Sequence, residues 1–278
     1  MVLGMLFGTW MWTNLAFGGA WQLALGFAMV GELGAIYFTV YDRRPFIAGL
    51  FFALAFGNRT EVLLTAPVFF YFLVRGREGD GESQAISNLK SQISEIAAFC
   101  LVPFLLGILT LVYNYVRFQS FTDFGYSRIP GVLDEPWYWD GIFSIYYIPG
   151  QAWEMLMKPW YMIESFPYLV PDGYGSSILF SSPFLFFLAR FGAQDRGLKY
   201  ASWLAIFVLT LLLWTHGNSG GWQFGYRYWM VCLPWIFVIL LESAPKRVAA
   251  LEWAAYVISI LATSYATWVF HWTNFVKP

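Results

Sequence analysis

Long apolar runs separated by short polar segments make up most of this chain. Six runs approach or reach the ~20 residues that an α-helix needs to cross a membrane. They are residues 21–41, 93–115, 176–191, 200–215, 227–242 and 248–270. The third and fourth are short for full crossings, and residues 1–12 are apolar but shorter than a span. The pattern predicts an all-α, polytopic transmembrane bundle.

Residues 46–74 contain two apolar runs, 46–57 and 61–74, with a polar interruption between them. Each run would form a helix only about 18–21 Å long, and together they overshoot a crossing of about 30 Å. We therefore expect a hairpin of two short helices, which brings the count to about eight crossings. Its polar tip carries Arg59 and Glu61, and it has to lie in protein or a watery cavity. The simpler alternative is that Arg59 only pairs with Glu61.

Composition supports a membrane protein and excludes several other classes. Of the 278 residues, 59% are hydrophobic and 12% are charged, against about 25% charged in a soluble domain. The net charge of −1 predicts no basic face for nucleic acid. Cys100 and Cys232 lie in apolar runs and are interpreted as packing residues. His216 and His271 are too few and too far apart to predict a metal site, the sequence assigns no cofactor with certainty, and it leaves a divalent metal open.

The longest segment without a span is 118–175, which is acidic and aromatic. Sixteen of its 58 residues are aromatic, and seven are acidic. The acidic residues are Asp123, Asp134, Glu135, Asp140, Glu154, Glu164 and Asp172. Short helices at the membrane surface would explain this composition, with the aromatic rings at headgroup level. A wall of rings and carboxylates also suits a sugar, and the two interpretations are compatible.

The distribution of basic residues predicts the orientation. When the 46–74 hairpin counts as two passes, ten of the sixteen basic residues fall on one side, in the shorter loops. The positive-inside rule then places those ten in the cytoplasm. The acidic segment 118–175, the tip at Arg59 and the loop 217–228 are all expected to face outward.

The stretch 217–234 combines a glycine-rich loop with the start of an apolar helix. Tyr226, Arg227 and Tyr228 stand at the junction, where backbone N–H groups and an arginine suit a phosphate. The alternative is an interfacial anchor, because Tyr, Trp and Arg are common at the ends of membrane helices.

Three motifs resemble the C superfamily (GT-C) of integral-membrane glycosyltransferases, which use polyprenyl-phosphate sugars. Residues 220–228 read G-G-W-x-F-G-x-R-Y and precede an apolar helix with an early proline, Pro234. Residues 113–118 read Y-N-x-x-R-F and are followed by F-G-Y at 124–126. Residues 48–59 contain an Ala/Gly-rich run that ends in arginine. The relatives with these patterns include protein mannosyltransferase and aminoarabinose transferase enzymes.

The resemblance implies transfer of a sugar from a polyprenyl-phosphate donor to an acceptor at the outer face of a prokaryotic plasma membrane. It implies a site that binds the donor phosphate through Arg227, Arg59 and Arg117. The expected lining of the donor and sugar site is Tyr226, Tyr228, Trp222, His216, Asn114, Tyr126 and Glu61. No catalytic residue, metal or oligomeric state is assigned by these motifs.

In the superfamily the catalytic carboxylate lies in the first outer loop. This chain has no long early loop and no acid before Glu32, which lies inside the first span. We therefore expect the chain, one transmembrane domain over 1–278, to match the later part of such an enzyme and to be inactive alone. An intramembrane acid is also typical of transporters and flippases. A non-catalytic membrane scaffold is the third hypothesis.

Overall fold

The structure is a computed structural model that describes residues 1–75 and 85–276. Its first α-helices are α1 (Val2–Phe7), α2 (Trp10–Ala16), α3 (Ala20–Ile36), α4 (Pro45–Asn58), α5 (Ala66–Val74) and α6 (Ala85–Phe118). They are followed by α7 (Ile148–Leu156), α8 (Ile178–Ser181), α9 (Arg196–Trp214), α10 (Leu233–Glu242) and α11 (Ala250–Trp272). The longer 3₁₀ and π segments are Tyr37–Tyr41, Thr60–Thr65, Pro183–Ala189 and Arg227–Cys232. A helical protein was predicted, and the structure confirms that class.

Four helices of the described residues are long and apolar enough to cross a membrane. They are Ala20–Tyr41, Leu89–Phe118, Arg196–Trp214 and Ala250–Trp272. Each coincides with a segment that the hydropathy pattern predicts to span, and together they suggest a membrane protein. The remaining apolar runs form shorter helices, so the total of about eight crossings stays a prediction.

The helix break predicted within 46–74 is present. α4 ends at Asn58, Arg59 has extended backbone (φ −140°, ψ 99°), and a 3₁₀ turn leads into α5. The rings of Phe52 and Phe69, one on each side of the break, lie 5.1 Å apart. Whether the two pieces form a membrane hairpin stays a prediction.

Helix α2 lies within residues 8–21, whose polar and aromatic composition predicts a loop ahead of the first span, and it corrects that prediction. The segment is helical because its polar side chains bond to distant parts of the fold. The Thr13 hydroxyl lies 2.8 Å from that of Thr267, and Asn14 bonds to the backbone of Phe224. Buried polar groups need such partners, and sequence pattern alone does not reveal them.

The acidic segment 118–175 contains short 3₁₀ helices, α7 and one small sheet. Strands β1 (Tyr161–Met162) and β2 (Leu169–Val170) pair antiparallel, with Tyr161 opposite Val170. The all-α prediction did not include this sheet, because strands of two residues leave no periodic signal. The position of the segment outside the membrane stays a prediction.

Internal contacts divide the chain into two compact units. The N/C unit comprises residues 1–25 and 136–278, and the central unit comprises residues 26–135. In the N/C unit, α1 and α2 pack on α11, and α9 packs on α10. In the central unit, α4 packs along α6. One transmembrane domain over the whole chain stays a prediction.

Close packing of α4 on α6 depends on Gly49. A Cβ atom added at Gly49 would lie 2.1 Å from the carbonyl oxygen of Phe99, which is backbone and cannot rotate away. Gly49→Ala is expected to lower the free energy of unfolding by about 1–3 kcal/mol, measured by SDS titration in detergent micelles. Gly107→Ala in α6 is the matched control, since its Cβ meets nothing within 4 Å. Equal unfolding midpoints for the two variants would contradict the packing argument.

Candidate functional site

Five of the candidates from the sequence lie in the N/C unit, on the loop 217–228 or just before it. This loop leads into the 3₁₀ helix Arg227–Cys232 and then into α10. It turns at Gly225, whose φ of +66° favours glycine, and a Cβ there would lie 2.6 Å from Cβ of Trp10. The loop is therefore packed tightly against α2.

Gln223 joins the two ends of the loop. Its Oε1 atom accepts a hydrogen bond of 2.6 Å from the backbone N–H of Arg227, and its Nε2 atom donates to the carbonyl of Ser219 at 3.0 Å. The side chain is fully buried, so these bonds are shielded from water. Arg227 is thereby fixed relative to the tip of the loop.

Asn14 of α2 holds the loop from another side. Its Nδ2 atom donates to the carbonyl of Phe224 at 2.7 Å, and its Oδ1 atom accepts from the N–H of Phe224 at 3.2 Å. The same Nδ2 atom also donates to the carbonyl of Trp10 at 2.8 Å. Asn14 is completely buried, and its side-chain amide satisfies the backbone N–H and carbonyl of Phe224 in place of a backbone partner.

Helix α7 supports the loop through Gln151. The Nε2 atom of Gln151 donates to the carbonyls of His216 at 3.0 Å and Gly217 at 2.9 Å. Its Oε1 atom accepts from the Tyr226 hydroxyl at 2.7 Å. Burial raises the pKa of Tyr226 well above its usual range, so the residue stays a neutral donor. Tyr226 therefore acts as a structural support of the loop.

Arg227 is the most unusual side chain of the loop. It is only 9% exposed, and its buried Nε atom has no hydrogen-bond partner among the described residues. Within residues 1–75 and 85–276, no carboxylate forms an ion pair with it. Its guanidinium carbon lies 5.3 Å from the centre of the Tyr228 ring. A buried guanidinium that contacts an aromatic ring and pairs with no carboxylate among the described residues can bind an anion.

A row of aromatic rings connects Arg227 to the surface. The His216 ring lies 5.6 Å from Tyr228 and 5.2 Å from Phe143. His216 and Tyr228 are half-buried, whereas Phe143 is 60% exposed. We call Phe143, His216 and Tyr228 the aromatic row. Trp222 is not part of it, because its ring packs 5.3 Å from Phe270 as a core contact.

Glu154 on α7 is the carboxylate that bonds to the loop. Its Oε1 atom accepts a hydrogen bond of 2.8 Å from the Ser219 hydroxyl, and Lys158 Nζ lies 3.9 Å away. Lys158 is nearer to Asp172, at 3.2 Å. Burial raises the pKa of Glu154, while the Ser219 bond and the charge of Lys158 act against that rise. The side chain is 21% exposed, so water can still reach it.

Sequence reasoning did not single out Glu154, which was one of seven acids in 118–175. One available signal was the polar spacing of Gln151, Glu154 and Lys158, which places all three on one face of a helix. A second was Ser219 with Gln223, two polar side chains four residues apart in a loop of glycines and aromatics. Neither signal shows which acid is buried.

The other five candidates lie in the central unit. Arg59 pairs with Glu61, with Nη2 2.7 Å from Oε1 and both side chains 12% exposed. This is the simpler alternative that the sequence left open. Arg117 is exposed and donates to the Tyr113 hydroxyl at 2.7 Å.

The remaining two central candidates are Asn114 and Tyr126. Asn114 is buried and donates to the carbonyl of Phe121 at 3.3 Å, while Tyr126 begins a 3₁₀ turn and is half-buried. Since these residues belong to the central unit, the expected proximity of Arg227 to Arg59 or Arg117 stays a prediction.

The described residues contain no group of three or more His, Cys, Asp or Glu side chains that could hold a metal ion. The candidate site lies in the N/C unit. It combines the buried Arg227 of the loop 217–228, the aromatic row and the carboxylate of Glu154 on α7. No family model, curated protein or solved structure matches the chain.

Proposed function

We propose that the chain is a membrane glycosyltransferase, or part of one, that takes its sugar from a polyprenyl-phosphate donor. Transfer would occur at the outer face of a prokaryotic plasma membrane. The observation that carries the proposal is the buried guanidinium of Arg227, whose Nε atom has no hydrogen-bond partner in the part of the chain that the structure describes. The resemblance of residues 220–228 to glycosyltransferases selects the donor class.

A phosphate ester would relieve the unfavourable state of Arg227. Burial removes a cation from water at a cost of several kcal/mol unless an anion compensates it. The planar guanidinium can donate two parallel hydrogen bonds to phosphate, which makes arginine better suited than lysine to this ligand. A lipid-linked phosphate also fits a chain with four apolar helices of membrane length.

The aromatic row suits the sugar of such a donor. Pyranose rings have apolar C–H faces that pack on aromatic rings, while their hydroxyls need polar partners. Tyr228 lies beside the guanidinium of Arg227, so a sugar bound to the phosphate would lie near Tyr228 and His216. The row would then recognise the sugar as Arg227 binds the phosphate.

The affinity of the chain for polyprenyl monophosphate tests the proposed role of Arg227. The purified chain in lipid nanodiscs is titrated with polyprenyl monophosphate, and the dissociation constant is measured. Arg227→Ala is expected to weaken binding about ten- to a hundredfold, because charge-assisted hydrogen bonds are lost. Arg227→Lys is expected to recover only part of the loss, since an ammonium lacks the bidentate geometry. Arg196→Ala is the control, because Arg196 is exposed at the start of α9.

Two results would contradict the proposal. Equal affinity of Arg227→Ala and the unaltered chain would reduce Arg227 to an interfacial anchor. Equal affinity for polyprenol, which lacks the phosphate, would show that only the lipid chain is recognised.

A transporter or lipid flippase is the second candidate, and Glu32 favours it. Glu32 is fully buried within α3, inside an apolar segment of membrane length. Acidic residues at such positions commonly belong to ion or substrate pathways. Proteoliposomes that translocate fluorescent polyprenyl phosphate without any acceptor, and lose this activity in Glu32→Gln, would support the transporter.

A further inference from the structure

The carboxylate of Glu154 is coupled to the loop that carries Arg227. Its Oε1 atom accepts from the Ser219 hydroxyl at 2.8 Å, and the Nε2 atom of Gln223 lies 3.3 Å from the same hydroxyl. Gln223 in turn accepts from the backbone N–H of Arg227 at 2.6 Å. A chain of hydrogen bonds therefore joins the carboxylate of Glu154 to the backbone of Arg227.

We propose that Glu154 is the general base of this site and takes the proton from the acceptor hydroxyl. The inference rests on the proposed function. The acceptor oxygen forms a bond to the anomeric carbon, and the bond from that carbon to the phosphate oxygen breaks. The hydroxyl proton passes to Glu154, and the electron pair of the broken bond stays on polyprenyl phosphate, which Arg227 holds.

The surroundings of Glu154 suit a base. A Cβ atom at Gly175 would lie 2.2 Å from its Oε1 atom, so the carboxylate occupies space that only glycine leaves open. Burial raises the pKa of Glu154, which makes its carboxylate a stronger proton acceptor than an exposed one. The groups that act on it are Ser219, Lys158 and Asp172.

Arg227 supplies an independent indication of a ligand at this loop. Its side chain is more than nine-tenths buried, and within residues 1–75 and 85–276 its Nε atom has no hydrogen-bond partner. Sugar transfer needs a cation for the leaving phosphate and a base for the acceptor. The loop 217–228 carries the cation, Arg227, and helix α7 carries the carboxylate, Glu154.

Four other acids of 118–175 are less suitable. Asp172 lies 3.2 Å from Lys158, and Asp140 accepts from the Ser144 hydroxyl. The Arg128 guanidinium lowers the pKa of Asp123, which weakens it as a base. Glu164 is exposed. The Glu154 carboxylate, by contrast, bonds to the loop that carries Arg227, through the Ser219 hydroxyl.

The test compares Glu154→Gln with Glu164→Gln, the same substitution at an exposed position of the same segment. The purified chains receive radiolabelled polyprenyl-phosphate mannose or aminoarabinose, with a membrane extract as acceptor. Glu154→Gln is expected to lower the transfer rate about a hundredfold or more. Its affinity for polyprenyl monophosphate is expected to stay within twofold of the unaltered chain, and Glu164→Gln is expected to change neither.

A pH profile separates a base from a structural support. The unaltered chain is expected to gain activity as the pH rises through the pKa of Glu154, because only the deprotonated carboxylate can accept the proton. The residual activity of Glu154→Gln is expected to lack that rise. Equal SDS unfolding midpoints for both chains show that the variant is folded.

Each contrary result has one meaning. Transfer by Glu154→Gln at the unaltered rate overturns the inference and leaves the proposed function intact. Donor binding without transfer by the unaltered chain also overturns it, and agrees with the sequence-based expectation that the chain alone is inactive. Loss of both binding and transfer in Glu154→Gln assigns the residue to the support of the loop. Failure of the unaltered chain to bind polyprenyl monophosphate overturns the proposed function itself.

Discussion

Arg190→Ala is expected to lower the free energy of unfolding by about 3–5 kcal/mol, a large part of the stability of a typical domain. Arg190 follows the 3₁₀ helix Pro183–Ala189 and donates two parallel hydrogen bonds to Glu252, of 3.0 and 2.7 Å. The Glu252 side chain is 6% exposed, so loss of the guanidinium leaves a carboxylate buried without its cation. SDS titration in micelles, followed by circular dichroism, measures the effect.

Because Glu252 is more deeply buried than Arg190, the two single substitutions are expected to differ in their cost to the free energy of unfolding. Glu252→Gln is expected to cost less, because the Arg190 side chain is 24% exposed and water can solvate its charge. The double variant Arg190→Met with Glu252→Leu is expected to recover much of the loss, since no buried charge remains. Arg44→Ala is the control, because Arg44 and Asp42 form a surface pair that is 59% and 39% exposed. A control as unstable as Arg190→Ala would refute the argument from burial.

Asn14→Ala is expected to cost about 2–5 kcal/mol and to weaken donor binding as well. The substitution leaves the buried N–H and carbonyl of Phe224 without their partner, at about 1–3 kcal/mol each. Because Phe224 lies three residues before Arg227, the loop is expected to lose the geometry that positions the guanidinium. The unfolding midpoint and the affinity for polyprenyl monophosphate are measured on the same preparation.

The control for this variant is Asn58→Ala. The Asn58 side chain donates to the backbone carbonyl of Leu54, four residues earlier, at 2.9 Å. Asn14 makes the same kind of bond to the backbone carbonyl of Trp10. Its bond is exposed, so water can replace it, and a change within about 0.5 kcal/mol is expected. If Asn14→Ala is equally mild, the loop does not depend on α2.

The sequence predicts the long apolar helices well, because burial in lipid requires a continuous run of apolar residues. It also predicts the break at Arg59, where a polar cluster interrupts such a run. It does not predict α2, whose polar residues Thr13 and Asn14 are explained only by partners more than 200 positions away. Hydropathy indicates which segments avoid water, but it does not show which hydrogen bonds their polar side chains form.

The site is predictable in part. Arg227 stands out in the sequence because it joins a glycine-rich loop to an apolar helix, but its burial and its unsatisfied Nε atom are tertiary facts. The pair of Arg59 and Glu61 could be expected, since the two residues are neighbours in sequence. Glu154 could not be separated from six other acids, because its contacts with Ser219 and Gly175 come from remote segments.

The discontinuity of the N/C unit imposes an order on its biosynthesis. Residues 1–25 leave the ribosome well before α11, on which α1 and α2 pack, has been synthesised. At ~5–20 residues per second, the interval amounts to roughly ten to fifty seconds. The contiguous central unit has all its residues available before that. The hydrogen bonds of Thr13 to Thr267 and of Asn14 to Phe224 can therefore form only late in synthesis, and until then the polar side chains of α2 lack these partners.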